Sequence, residues 1–247
     1  MQNAHNPRGG TAGAQNRHVV ITGASKGLGF AFAEAFAAGG YSLTLCARNA
    51  AGLVRAANVL QRPGITVRTR PADLSTAEGA KAFGSWVLEQ AQPVDILINN
   101  AGRYVSGSVY NEKEGNLEEM IQTNLYSAYH LTRTLLPHMM ARKSGHIFNI
   151  CSVASLKAYP NGGAYGISKF ALLGFSRNLR EEMKPFGIKV TAVLPGAAYS
   201  ASWEGSGVDP ERIMTAEDVA RMVYAAAILS PQATVEDIVL RPQLGDL

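Results

Sequence analysis

Apolar residues along the chain fall into two periods. Short runs rich in Val, Ile, Leu and Thr occur at 18–22 ("HVVIT"), 41–47 ("YSLTLCA"), 65–70 ("ITVRTR"), 94–100 ("VDILINN"), 146–152 ("HIFNICS"), 188–195 ("IKVTAVLP") and 236–241 ("EDIVLR"). Their length and β-branched content predict strands. Between them, apolar residues three and four apart predict helices. The first helix runs through "FAFAEAFAAGG" and stops at Gly39-Gly40, a helix-ending pair. Asn49 is placed to cap a second helix ending near Leu60, and Ser75 a third ending near Gln92. Further helices are predicted over about 117–142, from Tyr165 to about Lys184, and from about Ala216 to Leu229. Regular alternation of strand and helix predicts an α/β fold, a doubly wound parallel sheet with helices on both faces. Near-continuous apolar strands such as "DILIN" suit burial on both sides. In such sheets ligands sit beyond the carboxyl ends of the strands.

Composition narrows this picture. With 247 residues, 47% of them hydrophobic, the chain can bury one sizeable core, and no Gly/Ser linker divides it. A single domain is expected over 17–247, preceded by a polar, flexible tail over 1–16 that lacks the apolar stretch of a secretory signal. No apolar run reaches the length of a membrane span. The net charge of +4 comes from scattered basic residues without a Lys/Arg run or interleaved aromatics, so no nucleic-acid partner is expected. Cys46 and Cys151 have neither metal-type spacing nor a disulfide framework, and read as buried thiols of a reducing, cytoplasmic compartment. His5, His18, His130, His138 and His146 are dispersed, and no metal site is expected.

The chemistry-bearing motifs fall at strand ends. The first strand runs into "TGASKGLG" (22–29), a Gly-x-x-x-Gly-x-Gly turn opening a helix. Its glycines permit a sharp turn, close backbone approach to a pyrophosphate and tight helix packing, and the helix N-terminus offers free N–H groups to phosphate. Gly23, Ser25, Lys26, Gly27, Leu28 and Gly29 are the candidate cradle. An NAD-preferring site carries Asp or Glu at the end of the second strand. Here that end reads Ala47-Arg48, so Arg48, with Lys26, is placed to pair with a 2′-phosphate, and NADP(H) is the expected cofactor. In "AYGISKFAL" (164–172), Tyr165 and Lys169 are predicted to share one helix face. The ammonium is expected to lower the phenol's pKa, so that Tyr165 exchanges protons near neutral pH. The fifth strand runs out into a further hydroxyl, Ser152.

Together "TGASKGLG", "DL" (73–74), "NNAG" (99–102), Asn124 in "TNLYS", Ser152, "YGISK" (165–169) and "PG" (195–196) closely resemble the short-chain dehydrogenase/reductase superfamily, in its classical, NADP-preferring branch. The resemblance covers about 17–241 and implies a seven-stranded Rossmann sheet in three α/β/α layers. It implies catalytic roles for Asn124, Ser152, Tyr165 and Lys169, with Asn124 holding a water in a proton relay. Asp73 and Leu74 would line the adenine pocket. Asn99, Asn100, Ala101 and Gly102 would shape the cofactor site, Pro195 and Gly196 would form the turn beside the nicotinamide, and Ser200 would offer a hydroxyl near the carboxamide. Lys169 would also bond the cofactor ribose.

The resemblance implies an NADPH-dependent reductase of ketones or aldehydes, reversible as an alcohol dehydrogenase. A 3-oxoacyl-thioester or sepiapterin-type reductase is the alternative within the family. A non-catalytic NADP(H)-sensing regulatory protein is the alternative outside it. Tyr104, Tyr110, Leu156, Tyr159, Tyr199 and Trp203 either line a substrate pocket or pack in a core or interface. Only about fifteen residues separate Ser200 from the following helix, where relatives often insert a longer lid. The resemblance implies a homodimer or homotetramer; apolar residues such as Leu131, Leu135 and Phe175 either form a pairing face or pack in the core.

Overall fold

The computed structural model describes residues 17–199 and 207–246. Seven parallel strands form one sheet: β1 (His18–Thr22), β2 (Ser42–Ala47), β3 (Val67–Pro71), β4 (Ile96–Asn99), β5 (Gly145–Ile150), β6 (Ile188–Pro195) and β7 (Asp237–Leu240). Their order is β3-β2-β1-β4-β5-β6-β7. The helices are α1 (Gly27–Ala38), α2 (Ala50–Leu60), α3 (Ala77–Glu89), α4 (Asn116–Ile121), α5 (Ser127–Arg142), α6 (Gly163–Met183) and α7 (Ala216–Ala227).

Alternate strand residues feed two cores. Val19 and Ile21 of β1 with Ile96 and Ile98 of β4 pack under α1, α2 and α7. Val20 and Leu97 point the other way and pack under α3, α5 and α6. On the first face Phe36 meets Tyr41 and Tyr224 edge-on, with centroids 5.2 and 5.3 Å apart. Phe36 is fully buried there, and truncating such a ring costs about 3–5 kcal/mol.

The strand order reverses between β1 and β4, which run outward to opposite edges of the sheet. A crevice opens at their carboxyl ends for that reason. Every predicted strand is present, with bounds shifted by up to two residues. Two helix details differ from expectation. Thr76, not Ser75, caps α3 by accepting from Gly79 N at 3.0 Å, because Ser75 is already bonded to Asp73. The long helix is interrupted by a π-helical turn over Gln122–Tyr126, which contains Asn124. Leu131 and Leu135 are fully buried, and Phe175 packs against the same core. Leu131 and Leu135 are therefore core residues and not part of a pairing face, while Phe175 stays half-buried.

Candidate active site

Beyond β1, β2 and β4 lies a cleft of about 400 Å³. Gly23, Ser25, Lys26, Gly27, Leu28, Arg48, Asp73, Leu74, Asn100, Ala101 and Gly102 all line it. The glycine turn is held by contacts that leave no room for a side chain: a Cβ on Gly29 would collide with the Gly23 carbonyl. At the end of β1, Thr22 Oγ1 accepts from the backbone N–H groups of Asn100 (2.9 Å) and Ala101 (2.8 Å). Asn100 Nδ2 donates back to Thr22 O at 2.9 Å. One hydroxyl thus locks the two sides of the crevice together.

Asp73 spends its carboxylate on the Ser75 N–H and hydroxyl, at 3.0 and 2.8 Å. These bonds, with the nearby Arg48, hold it below the usual carboxylate range. Arg48 and Lys26 are exposed at the cleft. A narrow glycine turn, a helix N-terminus and two cations fit a phosphorylated dinucleotide. Asn99 does not line the cleft. Its side chain turns inward and donates to Thr132 Oγ1 and Asn149 Oδ1, each at 2.9 Å.

The reactive side chains gather beside this cleft. Ser152 lies two residues past β5, buried, and its hydroxyl reaches Pro195 O at 3.5 Å. Tyr165 occupies the first turn of α6, and Lys169 the next. Lys169 is buried and donates from Nζ to Ile150 O at 2.8 Å. Its Nζ lies 5.8 Å from the Tyr165 ring centroid. Asn124, fully buried in the π-turn, accepts from Arg103 N at 2.7 Å and donates to Ser168 Oγ at 2.8 Å. An extra residue per turn is a common device for aiming a side chain inward from a helix.

Electrostatics correct one expectation. Lys169 does not lower the Tyr165 phenol: burial raises its pKa, and a hydrogen bond with Ser152 offsets part of that rise. Lys169 instead donates a hydrogen bond to the Ile150 carbonyl, and burial pushes its own pKa down to about 8. Cys46 and Cys151 are buried, and burial pushes both thiols up to about 12, so neither is a ready nucleophile.

Two tyrosines stand at the outer side of Tyr165. Tyr104 meets its ring edge to face, centroids 4.9 Å apart at 86°. Burial raises the Tyr159 pKa, and the neighbouring Tyr104 adds to the rise. Both remain part-exposed, as do Leu156 and Tyr199, whereas Tyr110 lies almost wholly in solvent. Ser200 and Trp203 fall outside the described residues, as does the 1–16 tail. Thr22, Ser168, Arg103 and Glu112 also shape this region, and the sequence did not single them out. Thr22 and Ser168 lie within the quoted motifs without a role assigned to them; Glu112 stands outside every motif.

Fold and site together define a dinucleotide-binding α/β protein with a Ser, Tyr and Lys group at its crevice. The sequence matches the family model described as short chain dehydrogenase over residues 17–208, and the chain belongs to that family. A sepiapterin reductase of Chlorobaculum tepidum is 33% identical over 242 residues, 94% of this chain and 98% of that protein. Among solved structures, an alcohol dehydrogenase from Thermococcus sibiricus complexed with 5-hydroxy-NADP superposes with a TM-score of 0.85 at 30% identity, covering 92% of this chain and 97% of the other. L-sorbose reductase from Gluconobacter frateurii, complexed with NADPH and L-sorbose, gives a TM-score of 0.85 at 26% identity over 92% of this chain and 96% of the other. Among the described residues no helix is long and apolar enough to cross a membrane, and no group of three His, Cys, Asp or Glu could hold a metal ion.

Proposed function

We propose that this protein is an NADP(H)-dependent oxidoreductase that interconverts a carbonyl and an alcohol. The observation that carries the reading is the Ser152, Tyr165 and Lys169 group beside a cleft flanked by Arg48 and Lys26. Arg48 and Lys26 bind the 2′-phosphate, and the 23–29 turn with the α1 N-terminus receives the pyrophosphate. Asp73 and Leu74 border the adenine, Asn100, Ala101 and Gly102 the central cofactor, and Pro195 and Gly196 the nicotinamide end. NADPH, when bound, supplies the hydride. Ser152 donates a hydrogen bond to the carbonyl oxygen, and Tyr165 gives that oxygen its proton. Burial pushes the phenol's pKa up, which favours the protonated, proton-donating form and so suits the reducing direction. Asn124 fixes the Arg103 backbone and Ser168, which lies between the two reactive helix residues. Purified protein given NADPH and a panel of ketones, aldehydes and diketones should consume the cofactor. Tight NADPH binding without turnover across that panel would instead favour the cofactor-sensing reading.

Within this class, Tyr104 and Tyr159 favour a flat, conjugated carbonyl compound, of the pterin type, over a 3-oxoacyl thioester. Aromatic rings beside the reacting hydroxyl offer stacking and edge contacts to a planar substrate. The similarity to a sepiapterin reductase supports the same choice. Comparing kcat/KM for a pterin-type diketone and a 3-oxoacyl thioester separates them, and a preference for the thioester would reverse it.

A further inference from the structure

We propose that Glu112 is a positioning residue that holds the first turn of α6, and with it Tyr165, in place for proton transfer. The inference rests on Tyr165 being the proton donor. Helix α6 lacks the usual means of securing its start. Its N-cap is Gly162, with no side chain to offer, and no acidic residue stands in its first turn. The leading N–H groups of a helix need acceptors from elsewhere. Ala164 N–H finds one across 52 residues, donating to Glu112 Oε2 at 3.2 Å. The next residue is Tyr165. A carboxylate there also matches the positive end of the helix.

The surrounding loop is built to deliver that carboxylate. Gly107 N donates to Asn161 O at 3.1 Å, and Ser108 Oγ to Asn161 Oδ1 at 2.7 Å. Gly163 has φ +28°, and a Cβ on it would collide with the Gly107 carbonyl and lie 2.9 Å from Glu112 Oε2. A glycine at 163 therefore leaves the space the strap occupies. The same strap begins at Tyr104, whose ring braces the Tyr165 ring. It thus holds Tyr165 twice: through Tyr104 at the ring, and through Glu112 at the adjoining backbone.

The test compares E112A, E112Q and E112M with the full-length wild type. E112A is expected to lower kcat about tenfold, the scale of a lost cap, with NADPH affinity within about twofold of wild type. E112Q keeps an acceptor and should retain most of the activity. E112M keeps the stem and loses only the acceptor, so it should behave as E112A does, and it carries the test if E112A does not fold. Hydrogen exchange should speed up for the amides of residues 164–166 in E112A and not for those of 172–180. In a Y165F background E112A should cost nothing further, because the group being placed is gone. Wild-type kcat in E112A and E112M would overturn the proposal, as would an equal loss of NADPH affinity or an undiminished E112A effect on top of Y165F. Full turnover in Y165F alone would refute the proton-donor assignment, whatever Glu112 does.

Discussion

Beyond β1 and β2 the cleft is made from near neighbours in the chain. Gly29 abuts Gly23, Asn49 caps its own helix by accepting from Gly52 N, and Asp73 accepts from Ser75. Beyond β4 and β5 the reactive side chains are held by distant ones. Lys169 reaches 19 residues back to Ile150, Asn124 reaches 44 residues on to Ser168, and Ala164 donates to Glu112 52 residues away. The first region binds mainly through backbone shape and charge, which a short motif encodes. The second depends on tertiary structure to bring hydroxyls and an ammonium together. Damage to the first should therefore appear as lost cofactor affinity, and damage to the second as lost turnover.

The largest expected effect tests this division directly. Tyr165→Phe removes the exchangeable proton while leaving the ring against Tyr104. Turnover should fall about 10³-fold, within the usual span for a general acid, while the NADPH Kd measured by fluorescence titration changes by less than about twofold. A parallel loss of affinity would mean that the two regions are not separable.

The sequence named most of the residues that line the cleft, and for these it also conveyed their local arrangement. Glycine spacing and the Arg48 position carry geometry by themselves, since they act through local backbone and charge. For the catalytic side the residues were legible and their interactions were not. Helical spacing puts Tyr165 and Lys169 on one face, yet the ammonium bonds Ile150 O, because a buried donor is satisfied by the nearest good acceptor. Burial, which sequence spacing does not report, reverses the expected direction of the phenol's shift. Glu112 carried no local signal, and the Asn124 π-turn is invisible in a continuous helical pattern.

At the amino ends of the strands the two halves of the sheet are alike, which limits the contrast. His18 of β1 is bonded through Nε2 to Thr44 Oγ1 on β2 at 2.8 Å, and His146 of β5 to Thr191 Oγ1 on β6 at the same distance. Each threonine lies two residues beyond the histidine's register partner. Burial lowers both pKa values, to about 4 and about 3. The unfolded chain therefore binds protons that the folded rings refuse. The stability carried by the neutral rings is complete above pH 6.5 and is lost as pH falls toward those values. Each ring should cost about 3 kcal/mol of stability at pH 4. Chemical denaturation between pH 7 and 4.5 should show a shallower acid loss in H146Q and in H18N than in wild type. Unchanged slopes in both would mean that the rings titrate normally in the fold.

Arg48→Ser probes the cofactor side on its own. Loss of a charge-assisted pairing with the 2′-phosphate should weaken NADPH binding by about 2 kcal/mol, or about 30-fold. The effect on kcat at saturating NADPH should be less than about twofold, and NADH affinity should not fall. A loss of kcat with unchanged Kd would place Arg48 in the other region.

Lys169 belongs to both regions, and its titration gives the smallest of these effects. It stands one helical turn beyond Tyr165, and a Cβ on Gly102 of the cofactor cleft would lie 3.7 Å from its Nζ. Burial pushes its pKa down to about 8, so its charge is present at pH 7 and is lost as pH rises through 8. A charged donor to the cofactor's ribose is worth about 1.4 kcal/mol more than a neutral one. The kcat/KM for NADPH, which reports the ligand-free protein, should thus fall about tenfold between pH 7 and pH 10. The same profile in K169M should lose this limb while remaining low throughout. If wild type stays flat to pH 10, the ammonium is not held in the low-pKa state that its burial dictates, and the lysine does not couple the two regions through its charge.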